Sequence, residues 1–230
     1  MTTDTTPPLS PDDPSLHDLR VELAHLHDEL VRWGLVVWTA GNVSARVPGH
    51  DLFLIKPSGV SYDDLGPEAM VLCTLDGQAV PGQDLGPSSD TAAHAYVYRH
   101  MAEVNGVVHT HSPHACAFAA VHEPVPCVLT GIGDEFGGEI PVGPFALIGD
   151  DSIGRGIVET LRGHRSRAVL MANHGPFTIG DTPKAAVKAA VLCEDNARSV
   201  LLARQLGTPV PIAAEDVDAL HDRYQNVYGQ

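Results

Sequence analysis

Basic residues are scarce in this 230-residue chain, with 14 Lys and Arg against 29 Asp and Glu and a formal net charge of −15. A nucleic-acid binder needs a basic face to displace counterions from phosphate, so no nucleic-acid partner is expected. A small phosphorylated ligand is not excluded, because it needs only a local cluster of donors. The acidic balance otherwise speaks to solubility. Cysteine is sparse and unpatterned: Cys73, Cys116, Cys127 and Cys193 are far apart and form no C-x-x-C. They read as reduced, mostly buried residues of a cytoplasmic protein. No apolar run approaches the ~20 residues of a membrane span, so no membrane partner is expected. The start, Met1-Thr2-Thr3-Asp4, lacks a basic n-region and an apolar h-region, and no secretory signal is expected. The chain also lacks H-E-x-x-H, the zinc-hydrolase pattern that places a general base beside a metal-bound water.

Elements can be read from periodicity and punctuation. Residues 1–14 are rich in Thr, Pro and Asp and read as a disordered tail, leaving 15–230 as one domain. Leu16, Leu19, Leu23, Leu26 and Leu30 predict an amphipathic helix ended by Gly34. Val43–Val47 and Leu52–Ile55 predict a hairpin about Pro48-Gly49-His50, and Val71–Leu75 a strand before Asp76-Gly77. Helices are expected from Ser89 or Asp90 to Met101, over Ala115–Val121, Ile153–Leu161, Lys184–Leu206 and Glu215–Tyr224. The run around His109 predicts a buried strand, and Ala168–Ala172 and Phe177–Ile179 predict two more. The glycine-rich stretch from Val128 to Gly143 reads as irregular. Strands alternating with helices make the class α/β in the broad sense.

The most informative residues are His109 and His111 in Val107-Val108-His109-Thr110-His111-Ser112, with His174 in Ala172-Asn173-His174-Gly175-Pro176. Residues two apart on a strand share a face, so both imidazoles would point the same way and could grip one zinc ion. An H-x-H pair alone reads more readily as two ordinary hydrogen-bonded histidines, and its company is what favours a metal. Three further segments suit an anion. Gly41-Asn42-Val43-Ser44 offers an open backbone and polar side chains. Lys56-Pro57-Ser58-Gly59 adds a cation and a hydroxyl. Pro87-Ser88-Ser89-Asp90 puts hydroxyls and N–H groups at a helix N-terminus. Each alone is a common turn or cap sequence. Asp90 reads first as an N-cap, and near three histidines it would complete a tetrahedral metal site.

Taken together and in this order, these segments resemble the class II sugar-phosphate aldolase and epimerase family, which includes L-fuculose-phosphate aldolase, L-ribulose-5-phosphate 4-epimerase and the adducin head domain. The resemblance spans about residues 15–230. It implies a single domain with a central, mostly antiparallel sheet flanked by helices. It implies zinc on His109, His111 and His174 with Asp90 as further ligand, manganese or cobalt being acceptable substitutes. It implies a phosphate pocket drawn from Gly41, Asn42, Ser58, Gly59, Ser88 and Ser89 with Lys56 nearby. A phosphorylated ketose as substrate and a homotetramer with sites between subunits also follow from it.

Three features resemble the 4-epimerase branch: Asp90 where aldolases carry Glu, Asp134 in Gly133-Asp134-Glu135-Phe136, and the ending Tyr228-Gly229-Gln230. The implied chemistry is retro-aldol cleavage between carbons three and four of L-ribulose 5-phosphate through a zinc-bound enediolate. The aldehyde then rotates, and re-addition gives D-xylulose 5-phosphate, with Asp134 and Tyr228 as acid and base. Departures fall around the substrate. Ala40 stands where the epimerases carry Trp, Glu135 and Gly137 replace aromatic residues, and the segments after Asp134 and near the C-terminus are short, so that His221 pairs only loosely with a family histidine. An aldolase that releases its fragments and a metal-free adducin-like module are the competing expectations.

Overall fold

Apolar strand residues alternate between two faces, and that alternation forces helices onto both sides of one sheet. In the computed structural model, which describes residues 9–227, seven strands lie in the order β3-β2-β1-β4-β7-β6-β5. They are β1 (Asn42–Arg46), β2 (Leu52–Ile55), β3 (Val71–Thr74), β4 (Gly106–His109), β5 (Val142–Gly143), β6 (Ala168–Met171) and β7 (Gly175–Gly180). Neighbouring strands run antiparallel except β5 with β6.

Consecutive residues of β4 show the two faces. Val107 belongs to a core shared with Phe53, Tyr98 and Ile157. Val108 belongs to another, shared with Leu23, Leu30 and Ala190. The first core lies under α2 (Thr91–His100) and α5 (Ser152–Leu161). The second lies under α1 (His17–Arg32) and α6 (Pro183–Leu206). A third cluster, around Phe118, Phe136 and Leu170, joins the second side to α3 (Pro113–Val121) and α4 (Thr130–Phe136). The result is three layers, as the family resemblance implies. The helix read from the leucine stripe is α1, and Gly34 follows it with φ +66. Helix α6 opens with Thr182, whose Oγ1 accepts from Ala185 N at 3.1 Å, and Pro183 in the first turn.

Three expectations need correction. The stretch 128–143 is not irregular throughout: it contains α4 and β5. Gly131 and Gly133 each disfavour a helix by about 1 kcal/mol. Ile132 and Phe136 are fully buried, and α7 (Ala214–Asn226) packs across α4, so tertiary burial outweighs propensity. The tail expected over 1–14 overlaps ordered chain, because Arg20 Nη2 donates to Pro11 O at 2.9 Å and Pro14–Leu16 form a 3-10 turn capped by Asp13. Finally, β4 ends at His109, so His111 lies past the strand rather than on it. Among the described residues, no helix is long and apolar enough to cross a membrane.

Candidate metal centre and phosphate pocket

Antiparallel pairing gathers the polar motifs at one end of the sheet. Asn42 at the start of β1 pairs with His109 at the end of β4, and His109 pairs on its other side with Phe177 of β7. The turn before β7 carries His174. Gly41 makes the close approach possible: its φ is +81, and a Cβ there would lie 2.9 Å from His109 O and 2.6 Å from Val36 Cγ1.

The three histidines converge. Their ligand atoms all lie within 4.8 Å of one another, and the Nε2 atoms of His109 and His111 are 2.9 Å apart. His109 is buried and stacked on Phe177, with ring centroids 4.1 Å apart. Its Nδ1–H donates to Pro176 O at 3.1 Å, which fixes the tautomer and leaves the Nε2 lone pair aimed at its neighbours. Burial pushes the His109 imidazole down to about 3, and burial likewise lowers His174. Both are neutral at pH 7, the state a metal requires. Neutral nitrogen donors facing one another across so short a gap fit a divalent ion such as zinc.

Asp90 stands beside this set rather than in it. It is the N-cap residue of α2, but its side chain makes no capping bond. Oδ2 instead accepts from Asn42 Nδ2 at 2.8 Å, and Oδ1 is buried with no hydrogen-bond partner among the described residues. Burial opposes charge on this carboxyl, yet His109, His94 and the Asn42 amide together hold it below the usual carboxylate range. An ionised, half-satisfied carboxylate in the histidine pocket has the chemistry of an additional ligand.

Two backbone strips form the rest of the pocket. Ser58 N donates to Gly86 O and Ser88 N to Lys56 O, each at 3.0 Å, so the Lys56-Pro-Ser-Gly and Pro-Ser-Ser-Asp segments lie side by side. They meet at the N-terminus of α2, which favours negative charge. The resulting cavity of about 230 Å³ is lined by residues from every expected segment: Gly41, Asn42, Lys56, Ser58, Gly59, Ser88, Ser89, Asp90 and the three histidines. The exposed Ser58 and Ser89 hydroxyls have no partner among the described residues.

Lys56 lines the pocket but turns its ammonium inward and is only 1% exposed. Its Nζ donates to Val60 O at 2.8 Å and to Thr39 O and Pro57 O at 3.3 Å. A buried ammonium must satisfy its donors, and these carbonyls do so while tying two pocket loops together. Burial lowers its pKa.

Asp134 is not among the residues lining this pocket; it lies on α4, where its backbone carbonyl accepts from His221 Nδ1 at 3.0 Å. Its Oδ1 is buried without a partner among the described residues. Tyr228 lies outside the described residues. Three polar residues escaped the sequence reading. His27 is fully buried, with Nδ1 donating to Leu23 O at 2.7 Å and Nε2 accepting from Val43 N at 2.9 Å. Its signal was its place on the leucine stripe, four residues after Leu23. His94, four residues after Asp90, lies under the pocket with Nδ1 2.7 Å from Ser44 Oγ. Glu194 reaches from α6 to accept from His114 N at 3.1 Å and Ala115 N at 2.9 Å, capping α3. Nothing in the local sequence marks the last two.

The model of the class II aldolase and adducin N-terminal domain matches residues 21–201. A probable L-ribulose-5-phosphate 4-epimerase UlaF from Mycoplasma pneumoniae is 34% identical over 94% of this chain and 93% of its own length. L-ribulose-5-phosphate 4-epimerase UlaF from Salmonella paratyphi B is 36% identical over 82% of this chain and 86% of its own. Among solved structures, an L-fuculose 1-phosphate aldolase superposes with a TM-score of 0.84 at 26% identity, covering 90% of this chain and 96% of that one.

Proposed function

Since the chain belongs to the class II aldolase and adducin family, we propose that it is a metal-dependent epimerase that interconverts L-ribulose 5-phosphate and D-xylulose 5-phosphate. The observation that carries the reading is the three-histidine group at the sheet end, beside two serine-bearing loops in one cavity. A binding module has no need for three converging imidazoles. The choice of epimerase rests on relatives of that name at 34% and 36% identity and on Asp90 and Asp134 in the chain.

His109, His111 and His174 would hold zinc, with Asp90 as a further ligand, and manganese or cobalt would suit the same donors. The cation, when bound, supplies a Lewis acid for the negative charge that develops on the ketose oxygens as the bond between carbons three and four breaks. The protein does the rest. Ser58, Ser89, the Gly59 backbone and the start of α2 hold the phosphate, while Asn42 keeps Asp90 and Ser88 in register by donating to both. Tethering the aldehyde fragment by its phosphate makes recombination effectively unimolecular. Rotation of the aldehyde then requires a proton carrier on each face. The Asp134 carboxylate and the Tyr228 hydroxyl serve, one accepting the proton of the carbon-four hydroxyl as the bond breaks, the other returning one as it reforms. Asp134 lines no part of the pocket of its own chain. A neighbouring subunit of a homotetramer therefore brings it, with Tyr228, to the histidines.

Incubating zinc-loaded protein with L-ribulose 5-phosphate, and following D-xylulose 5-phosphate and free glycolaldehyde phosphate, tests the proposal. Epimer without free aldehyde supports it. Free aldehyde with little epimer would make the chain an aldolase, the second reading, which the likeness to L-fuculose 1-phosphate aldolase favours. Neither product from zinc-replete protein would refute the sugar assignment.

A further inference from the structure

Beside Asp134, on the same helix α4, begins a charged cluster with no part in the chemistry above. Glu135 is only 1% exposed. A carboxylate so deep needs a compensating charge and donors. Lys188 of α6 brings Nζ to 2.9 Å from Glu135 Oε2. Tyr224 of α7 lies beside the same carboxylate, whose negative charge helps hold the phenol pKa above its ordinary value after burial. Its hydroxyl is 3.5 Å from Lys188 Nζ, and its ring centroid lies 5.0 Å from that ammonium. One buried charge thus joins α4, α6 and α7. The α4–α7 contact is close elsewhere too. His221 Nδ1 donates to Asp134 O at 3.0 Å. Gly137 sits at φ +62 where a Cβ would be 3.0 Å from His221 Cγ and 2.7 Å from Arg165 Cδ.

Two adjacent carboxylates on α4 therefore differ in charge environment. Glu135 has Lys188 at ion-pair distance, whereas Asp134 has no ion-pair partner among the described residues; buried oxygens of both lack a hydrogen-bond partner there. Residue 135 is also where the chain departs from the aromatic pattern of the family it resembles. The hydrophobic effect is non-directional, whereas an ion pair beside a tyrosine favours one registry.

We propose that Glu135, Lys188 and Tyr224 form a positioning device. It locks α7 onto α4 in one registry and so sets Asp134 for turnover. The functional half rests on the roles given above to Asp134 and Tyr228; the structural half does not. Small misplacement of a reacting group costs up to ~10²-fold in rate, so the device acts on kcat rather than on affinity for the sugar phosphate.

The test uses full-length, zinc-loaded protein carrying Glu135→Gln, Lys188→Met, both together, or Lys188→Arg. Amide hydrogen exchange over residues 214–226 is read alongside kcat and KM for L-ribulose 5-phosphate. Each neutralising single variant should speed α7 exchange by about tenfold. It should also lower kcat by ~10–100-fold with KM within about twofold. The double variant should be no worse than either single, and Lys188→Arg should stay near wild type. Lys188 is half-exposed, so Lys188→Met keeps the test open if Glu135→Gln fails to fold. Additive losses in the double variant, unchanged α7 exchange, or a rise in KM at constant kcat would overturn the device. Tyr228→Phe separates the two ideas: with α7 exchange at the wild-type rate, unchanged turnover would remove the acid–base role and leave the exchange result to decide the positioning role.

Discussion

The histidine end of the sheet and the α4–α7 face use buried polar groups in different ways. At the sheet end one chain gathers the residues proposed to hold the metal and the phosphate, because antiparallel pairing of β1, β4 and β7 fixes Asn42, His109 and the turn of His174 side by side. At the α4–α7 face Lys188 is ion-paired with Glu135, and the neighbouring Asp134, with Oδ1 buried, has no ion-pair partner among the described residues. A three-histidine cluster beside serine-bearing loops in one place and a carboxylate without an ion-pair partner in another are what the proposed shared site would require. Backbone ladders position the first half rigidly. Helix packing positions the second, which leaves it more open to change.

The sharpest way to break this comparison is to damage each half in a different chain. His174→Ala should lose tightly bound zinc, by more than the ~10–100-fold that follows when a residue merely orienting a ligand is removed. Asp134→Asn should keep its zinc and lose ~10²–10⁴-fold in kcat as an acid–base group. If the sites are shared, mixing the two inactive proteins under conditions that exchange subunits should restore activity at about a quarter of the sites. A hybrid site then takes its histidines from one chain and its carboxylate from the other. No recovery after verified exchange would place both halves in a single chain or take Asp134 out of the chemistry.

How much of this was legible in the sequence follows the same division. The sheet end was readable because its motifs are local: His-x-His at a strand end, His174 before a strand, serines and Asp90 at a helix start. Strand pairing then did what the family resemblance implied. The α4–α7 face was not readable, because the forces there are tertiary. Gly131 and Gly133 argue against the helix that Ile132 and Phe136 create by burial. Glu135 reads as a surface charge until Lys188, 53 residues later, is seen beside it. Lys56 failed in the reverse direction: its motif was read correctly as part of the pocket, but no local signal says that its ammonium turns inward to three carbonyls.

Lys56→Met sharpens the boundary between scaffold and site. The variant keeps the apolar stem and leaves the carbonyls of Thr39, Pro57 and Val60 without their shared donor. One buried group left unsatisfied costs about 1–3 kcal/mol, and solvent can reach part of this cluster, so a loss of about 2–4 kcal/mol in denaturant unfolding is expected. Zinc content should persist, and KM should rise only modestly. A variant of unchanged stability whose KM rises ~100-fold would return Lys56 to the phosphate itself, because a lost charge-assisted bond of about 1.5–3 kcal/mol acts on affinity.

The smallest effect concerns the ground on which the sheet end stands. His27 bridges α1 and β1 as a neutral ring, donating from Nδ1 to Leu23 O and accepting from Val43 N at Nε2. Protonation would turn Nε2 into a donor facing another donor. Burial accordingly pushes this imidazole down to about 3 from its ordinary 6.5. The unfolded chain takes up that proton as pH falls through about 6.5, and the folded protein does not until about 3. The contribution is therefore absent above pH 6.5 and destabilises progressively below it, by roughly 1 kcal/mol per pH unit for this group. His27→Gln has no proton to exchange. Metal-free protein carrying it should be less stable at pH 7 by about 1–2 kcal/mol, and its stability should fall less steeply between pH 6 and pH 4. Urea unfolding of both proteins across that range measures the slopes directly. Parallel slopes would mean that His27 accepts a proton in the folded state, and that the bond from Val43 N to its ring does not hold the neutral form.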